Sequence, residues 1–368
     1  MNLKLVIFLP AILLVTGLQV LGQQKLKTRN VVLVTLDGMR WQEVFRGADK
    51  QLINSDYTRD QKRISSKFWL ESAQERRKVL LPFFWSTLSQ NGQLYGNRDL
   101  GNKAEVANQY HFSYPGYNEL LTGFPDDRVN SNDKNYNPNV NLLEYVNKQK
   151  GFEGKVASFS SWDVFPYILN DKRSGLLVNS GIQDLNLKNM SKELTLLNQL
   201  QQQSLSPVGD DVRQDVFTYQ FSKQYMKQYK PRLMYIAFDE TDDYAHAGAY
   251  HYYLKQAQKE DAMLADLWNY IQSDPFYKDQ TTLIITCDHG RGETPLAAWK
   301  DHGAKVEGSE YTWVAVIGPD TPAKGEMKAS EDILYHKQIA QTISVLLGLD
   351  FKSASGHETG TEIKSFYK

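Results

Sequence analysis

Dense apolar runs that stop abruptly at acid or imidazole side chains constrain this chain more than any other feature. VVLVTLDG stops at Asp37, MYIAFDETDDYAH delivers Asp242 and His246, and LIITCDHG delivers Asp288 and His289. A Val-, Ile- and Leu-rich run without polar alternation reads as a strand buried on both faces, as in a parallel sheet. Helical patterns fall between and after these runs: NLLEYVNKQKG, DVFTYQFSKQYMKQYKP, LKQAQKEDAMLADLWNYIQSDP and ILYHKQIAQTISVLLG. Strands alternating with helices predict an α/β fold, a mainly parallel central sheet with helices on both faces. In such sheets, sites lie beyond the carboxyl ends of the strands. That is where these acids and histidines fall. WKDHG adds His302 in a later loop, and HFSYPGYNELLTG places Ser113 at a helix start.

The rest of the chain is less regular. KVASFSSWD and YTWVAVIGP read as further strands, and FWLESAQERRKVLLPFFWSTL has helical spacing. Residues 92–112 look irregular. FPDDRVNSNDKNYNPNV, over 124–140, is rich in Asn, Asp and Pro and reads as a long loop. Residues 165–215 carry Gln-rich helical stretches, so about 124–230 is expected to be a variable loop and helix insertion.

The first residues, MNLKLVIFLPAILLVTGLQVLGQQ, combine Lys4, an apolar core over 5–20 and the small Gly22 before Gln23. This pattern predicts a signal peptide over 1–22, cleaved on export, and a catalytic domain over 23–368. The apolar run is short for a span of ~20 residues, so a retained anchor is disfavoured. No later stretch is long and apolar enough to span a membrane. Without Lys4 the chain carries 41 basic against 43 acidic residues, with no basic stripe to bind nucleic acid. Cys287 is the single cysteine. It rules out an internal disulfide and thiolate-rich zinc sites, so any metal must be held by oxygen and nitrogen. Export without disulfides fits a periplasm or a cell exterior.

Each candidate residue alone has an ordinary explanation. Asp37 before Gly38 suits an Asx turn, Asp242 and His246 a solvated turn, Asp288 and His289 a cap, and His302 a surface loop. Together they make three Asp, three His and one hydroxyl, an inventory suited to two divalent cations flanking an oxygen nucleophile. The four-residue spacing of Asp242 and His246 puts both on one helical face.

The order of these segments resembles the alkaline phosphatase superfamily, and the nucleophile segment is most similar to its nucleotide pyrophosphatase/phosphodiesterase branch. The resemblance covers most of the chain and is poorest over 124–230. It implies an alkaline phosphatase-like fold and roles residue by residue. One metal would be held by Asp37, Ser113, Asp288 and His289, the other by Asp242, His246 and His302. Zinc suits this donor set, and manganese or iron is also compatible. The resemblance implies hydrolysis of a small phosphate ester, a monoester or a diester, through a phosphoserine at Ser113.

Two departures from the pattern matter. The phosphodiesterase branch commonly uses Thr in Thr-Phe-Pro, whereas this chain has Ser113-Tyr114-Pro115. Sulfatases use Cys/Ser-x-Pro-x-Arg, and Tyr117 stands where that Arg would be, which disfavours sulfatase chemistry. Phosphotransfer of the phosphoglycerate mutase type is a second alternative, and a metal-binding module without turnover a third. A basic clamp would favour a monoester and an Asn clamp a diester. Asn130 and Asn132 follow the nucleophile helix, and Arg128, Lys172 and Arg173 are the basic candidates.

Overall fold

The computed structural model describes residues 25–209, 211–354 and 356–368. The expected signal peptide over 1–22 lies outside the described residues. In chain order the strands are β1 (Asn30–Leu36), β2 (Gln93–Tyr95), β3 (Ala104–Glu105), β4 (Val156–Ser160), β5 (Leu177–Ser180), β6 (Leu233–Phe238), β7 (Thr281–Thr286), β8 (Tyr311–Thr312), β9 (Val314–Ile317), β10 (Gly325–Glu326) and β11 (Leu334–Tyr335). Eight of them form one sheet in the order β10-β2-β9-β7-β1-β6-β4-β5. Strands β7, β1, β6, β4 and β5 are mutually parallel, and β9 runs antiparallel between β7 and β2.

Every residue of β1, β6 and β7 is buried, so these strands read as continuous apolar runs. Alternate residues still face opposite sides. Val32, Val34 and Leu36 join Met234, Ile236, Leu283 and Ile285 in a core covered by the helices Asp215–Tyr229 and Tyr250–Ser273. Val31 and Leu33 join Tyr235, Ala237 and Ile284 under the helices Ser113–Thr122, Leu142–Asn147 and Ile339–Leu346. Each fully buried Val or Leu contributes about 1.5–3 kcal/mol, so these two layers fix the register of the sheet.

The structure departs from the sequence reading in four places. Residues 92–112 contain β2 and β3, which at three and two residues are too short to show a period. YTWVAVIGP is two strands, because Tyr311–Thr312 pairs with β3 in a small second sheet whereas Val314–Ile317 pairs with β7 and β2 in the main one. The last helix starts at Ile339. Leu334–Tyr335 pairs with β3 instead, and the Tyr335 N–H is capped by Gln338 Oε1. Within 165–215, read as helical stretches, Leu177–Ser180 forms β5, which pairs with the expected strand β4 to make one edge of the main sheet. No helix among the described residues is long and apolar enough to cross a membrane.

Candidate active site

Asp37 and Asp288 follow the ends of the neighbouring strands β1 and β7, while Asp242 and His246 lie on the helix Glu240–His246 just after β6. Three adjacent parallel strands therefore deliver their polar residues to one edge. Ser113 is the first residue of a helix buried along its whole length. That helix packs closely because of Gly116, where a Cβ would lie 2.4 Å from the Asp288 carbonyl oxygen. The approach to Ser113 is held by Glu119. Its buried carboxylate accepts from the N–H groups of Ala107, Asn108 and Lys337, and Asn108 Oδ1 in turn accepts from those of Tyr110 and His111.

Four ligand-type atoms converge at the buried half of the site. His289 Nε2 lies 3.3 Å from Ser113 Oγ, 3.4 Å from Asp37 Oδ1 and 3.4 Å from Asp288 Oδ2. Ligand bonds of about 2.0–2.1 Å in a tetrahedron put neighbouring ligands about 3.3–3.4 Å apart. The hydrogen bonding leaves these atoms bare. Tyr117 donates to Asp37 Oδ2 at 2.7 Å and the Gly38 N–H donates to Asp288 Oδ1 at 3.1 Å. Asp37 Oδ1 and Asp288 Oδ2 are buried with no partner. The Nδ1–H of His289 donates to the Gly290 carbonyl at 2.9 Å, which leaves the Nε2 lone pair free. Two orphaned carboxylate oxygens facing an imidazole nitrogen suit a divalent cation.

The second half of the site opens toward solvent. His246 Nε2 lies 3.1 Å from Asp242 Oδ2 and 2.9 Å from His302 Nε2, and the His246 side chain is 45% exposed. His302 stacks on His289 with ring centres 4.0 Å apart, which joins the two halves. Asp242 Oδ1 lies between them, 3.8 Å from His289 Nε2 and 3.9 Å from His302 Nε2.

The electrostatics favour bound cations. Burial, then the charges of Asp288 and Asp242, pushes Asp37 well above the usual carboxylate range. Burial pushes Asp288 up to about 7, with Asp242 adding to the rise. Burial would push Asp242 up as well, but the Arg291 guanidinium and His246 hold it well below its ordinary value. Burial, with His289 alongside, keeps His302 well below the usual histidine value, in the neutral form that can coordinate.

All seven residues expected as ligands or nucleophile, Asp37, Ser113, Asp242, His246, Asp288, His289 and His302, therefore lie in one cluster. The substrate candidates are dispersed. Asn132 Oδ1 accepts from the Tyr114 N–H at 3.0 Å, beside Ser113. Asn130 donates instead to the Asp127 carbonyl. Arg128 is committed to Asp126 and Asn139, and Arg173 to Glu144. Lys172 sits over the Tyr136 ring. The structure ties each of these four to another partner, Arg128 and Asn130 within their own loop and Lys172 and Arg173 to Tyr136 and Glu144 of preceding segments.

Sequence reasoning missed Tyr117, Thr241 and Arg291. Tyr117 stands four residues after Ser113, a spacing that puts both on one helical face. Thr241 Oγ1 donates to the Asp37 carbonyl, and Arg291 directly follows Asp288-His289-Gly290. Replacing Tyr117 by Phe removes the bond that turns the Asp37 carboxylate. Divalent-cation affinity at the buried half is expected to fall about 10–100-fold, read by competition with a chromophoric chelator. Unchanged affinity would mean that packing alone orients Asp37.

A profile of the family described as type I phosphodiesterase / nucleotide pyrophosphatase matches residues 49–315. No curated protein matches the chain in sequence. Among solved structures, the chain is similar to the alkaline phosphatase PafA, with a TM-score of 0.58 and 11% identity over 94% of this chain and 99% of that one. It is similar to the phosphonate monoester hydrolase of Agrobacterium radiobacter, with a TM-score of 0.57 and 14% identity over 92% and 77% of the two chains. A 2-O GAG sulfatase gives a TM-score of 0.54 at 11% identity, over 92% and 74%. At these identities the likeness shows the alkaline phosphatase-like fold.

Proposed function

The chain belongs to the type I phosphodiesterase / nucleotide pyrophosphatase family and is a hydrolase of phosphoric esters, and from that membership we propose that it cleaves a phosphodiester through Ser113. The observation that carries this reading is the convergence of Ser113 Oγ, Asp37 Oδ1 and Asp288 Oδ2 within 3.4 Å of His289 Nε2. Asp37, Ser113, Asp288 and His289 would hold one divalent cation, and Asp242, His246 and His302 a second. Zinc suits the donors. When bound, the pair lowers the pKa of the serine hydroxyl and offsets charge on the attacking and leaving oxygens.

Ser113 attacks phosphorus and the ester oxygen leaves toward the open, His246 side. Water then cleaves the phosphoserine from the same side. Inversion at each step gives net retention at phosphorus. The buried half fixes the nucleophile, and the exposed half leaves room for leaving group and water.

The diester preference rests on Asn132. The Tyr114 N–H needs an acceptor, which assigns Oδ1 to it and leaves Nδ2 as a free donor on a side chain held at the residue after Ser113. Among the described residues no guanidinium or ammonium contacts Ser113. Lys134, two residues after Asn132, is paired with Asp163. A single neutral donor suits a monoanionic diester better than a dianionic monoester. In zinc-loaded protein, kcat/KM for bis-p-nitrophenyl phosphate is expected to exceed that for p-nitrophenyl phosphate. Asn132→Ala is expected to reduce the diester value by about tenfold or more, the worth of one hydrogen bond to a charged oxygen. A monoester preference untouched by that substitution would refute the assignment. The apolar segment over 5–20 supports export of the mature chain, with a small phosphate ester met outside the cytosol.

A further inference from the structure

Arg291 is a charged side chain beside the site that the proposed chemistry does not use. It is fully buried, so it cannot reach a substrate, yet it touches the site from behind. Its Nη2 donates to the Asp242 carboxylate at Oδ1 and to the Asp242 carbonyl at 3.3 Å. Its Nη1 donates to the Lys300 carbonyl, two residues before His302. Its Nε has no partner. One guanidinium therefore links three segments: its own loop after Asp288 and His289, the helix bearing Asp242 and His246, and the loop bearing His302.

The first strand makes room for this link. Gly38 has a φ of +55°, and a Cβ there would lie 2.5 Å from Asp242 Oδ1 and 2.8 Å from Arg291 Nε. The turn after Asp37 thus leaves open the space in which the carboxylate meets the guanidinium. With Oδ1 engaged, Asp242 presents Oδ2 to His246, 3.1 Å from its Nε2. A planar fork that bonds a carboxylate and two carbonyls at once is a geometry lysine cannot reproduce.

We propose that Arg291 is a positioning residue for the open half of the site: it sets Asp242 and the His302 loop so that Asp242 Oδ2, His246 and His302 take up one divalent cation. The inference rests on the two-cation reading above. The guanidinium makes no hydrogen bond to the side chains of the buried half, Asp37, Ser113, Asp288 and His289.

The test is a zinc count and titration on the full mature chain. Wild type is expected to retain two ions per chain after desalting, and Arg291→Met one. Arg291→Lys, which keeps the charge and much of the volume, should hold the second ion about 10–100-fold more weakly than wild type, the usual cost of losing a partner behind a ligand. The tighter ion should bind equally in all three proteins. Should the Met variant fail to fold, the Lys variant decides. Equal or tighter binding of the weaker ion in that variant overturns the inference, as does loss of both ions in parallel from a folded variant. A wild type that holds fewer than two ions refutes the two-cation reading itself, and that result is visible before any variant is made.

Discussion

Replacing Ser113 by Ala is expected to lower diester turnover by about 10³-fold or more while the fold and the zinc content persist. The hydroxyl is the nucleophile in the proposed chemistry, and among the described residues no other hydroxyl lies within hydrogen-bonding distance of His289 Nε2. The residual rate measures what the cations achieve with water alone. The fold should tolerate the change. Among the described residues the Ser113 hydroxyl makes one polar contact, the 3.3 Å approach to His289, and the helix is held by Gly116 packing and by the bonds of Glu119. Stopped-assay labelling gives a second readout, since wild type should trap phosphate on Ser113 and the variant should not. Turnover within a few-fold of wild type would exclude Ser113 as nucleophile.

Removing the metal should abolish turnover and make stability depend on pH. In the ion-free protein, burial and neighbouring carboxylates raise Asp37 well above the ordinary range and Asp288 from 3.8 to about 7. A raised carboxyl pKa means that the folded state binds more protons than the unfolded chain across that interval. Stability conferred by those protons is present at low pH and is lost as pH rises through about 7. Asp242 is shifted the other way, so it loses its contribution only in acid and does not counter this slope. Bound cations remove the repulsion. The Tm difference between zinc-loaded and chelator-treated protein should therefore be small near about pH 5 and grow toward about pH 8. At a thousandfold excess over Kd, one ion stabilises by about 4 kcal/mol. A Tm difference that shrinks as pH rises would contradict this account of the cluster.

The legible and illegible parts of the site differ in range. Asp37, Asp242 and Asp288 could be read because each terminates or follows an apolar run, and in a parallel sheet such ends share one edge. His246 and His289 followed from their spacing to those acids. Asn132 was one of several loop candidates, and only the fold set it on the Tyr114 N–H while tying Arg128 to Asp126. Arg291 had a visible position after Asp-His-Gly, but its partner Asp242 lies 49 residues away in sequence. No local pattern encodes such a pair. The short strands β2 and β3 escaped notice because a run of two or three residues carries no period.

By itself the sequence determined the α/β class, the edge of the sheet at which chemistry is possible, and the donor set of three aspartates, three histidines and a serine. Those are properties of local apolar runs and of short spacings, which any fold must respect. The tertiary structure alone decided which oxygen of each carboxylate stays bare and which is satisfied. It also decided that Tyr117 and Gly38 do the satisfying, and that the cation behind Asp242 is a buried arginine. Such choices arise where segments far apart in the chain compete for the same few cubic ångströms, and packing settles that competition once the whole sheet has formed.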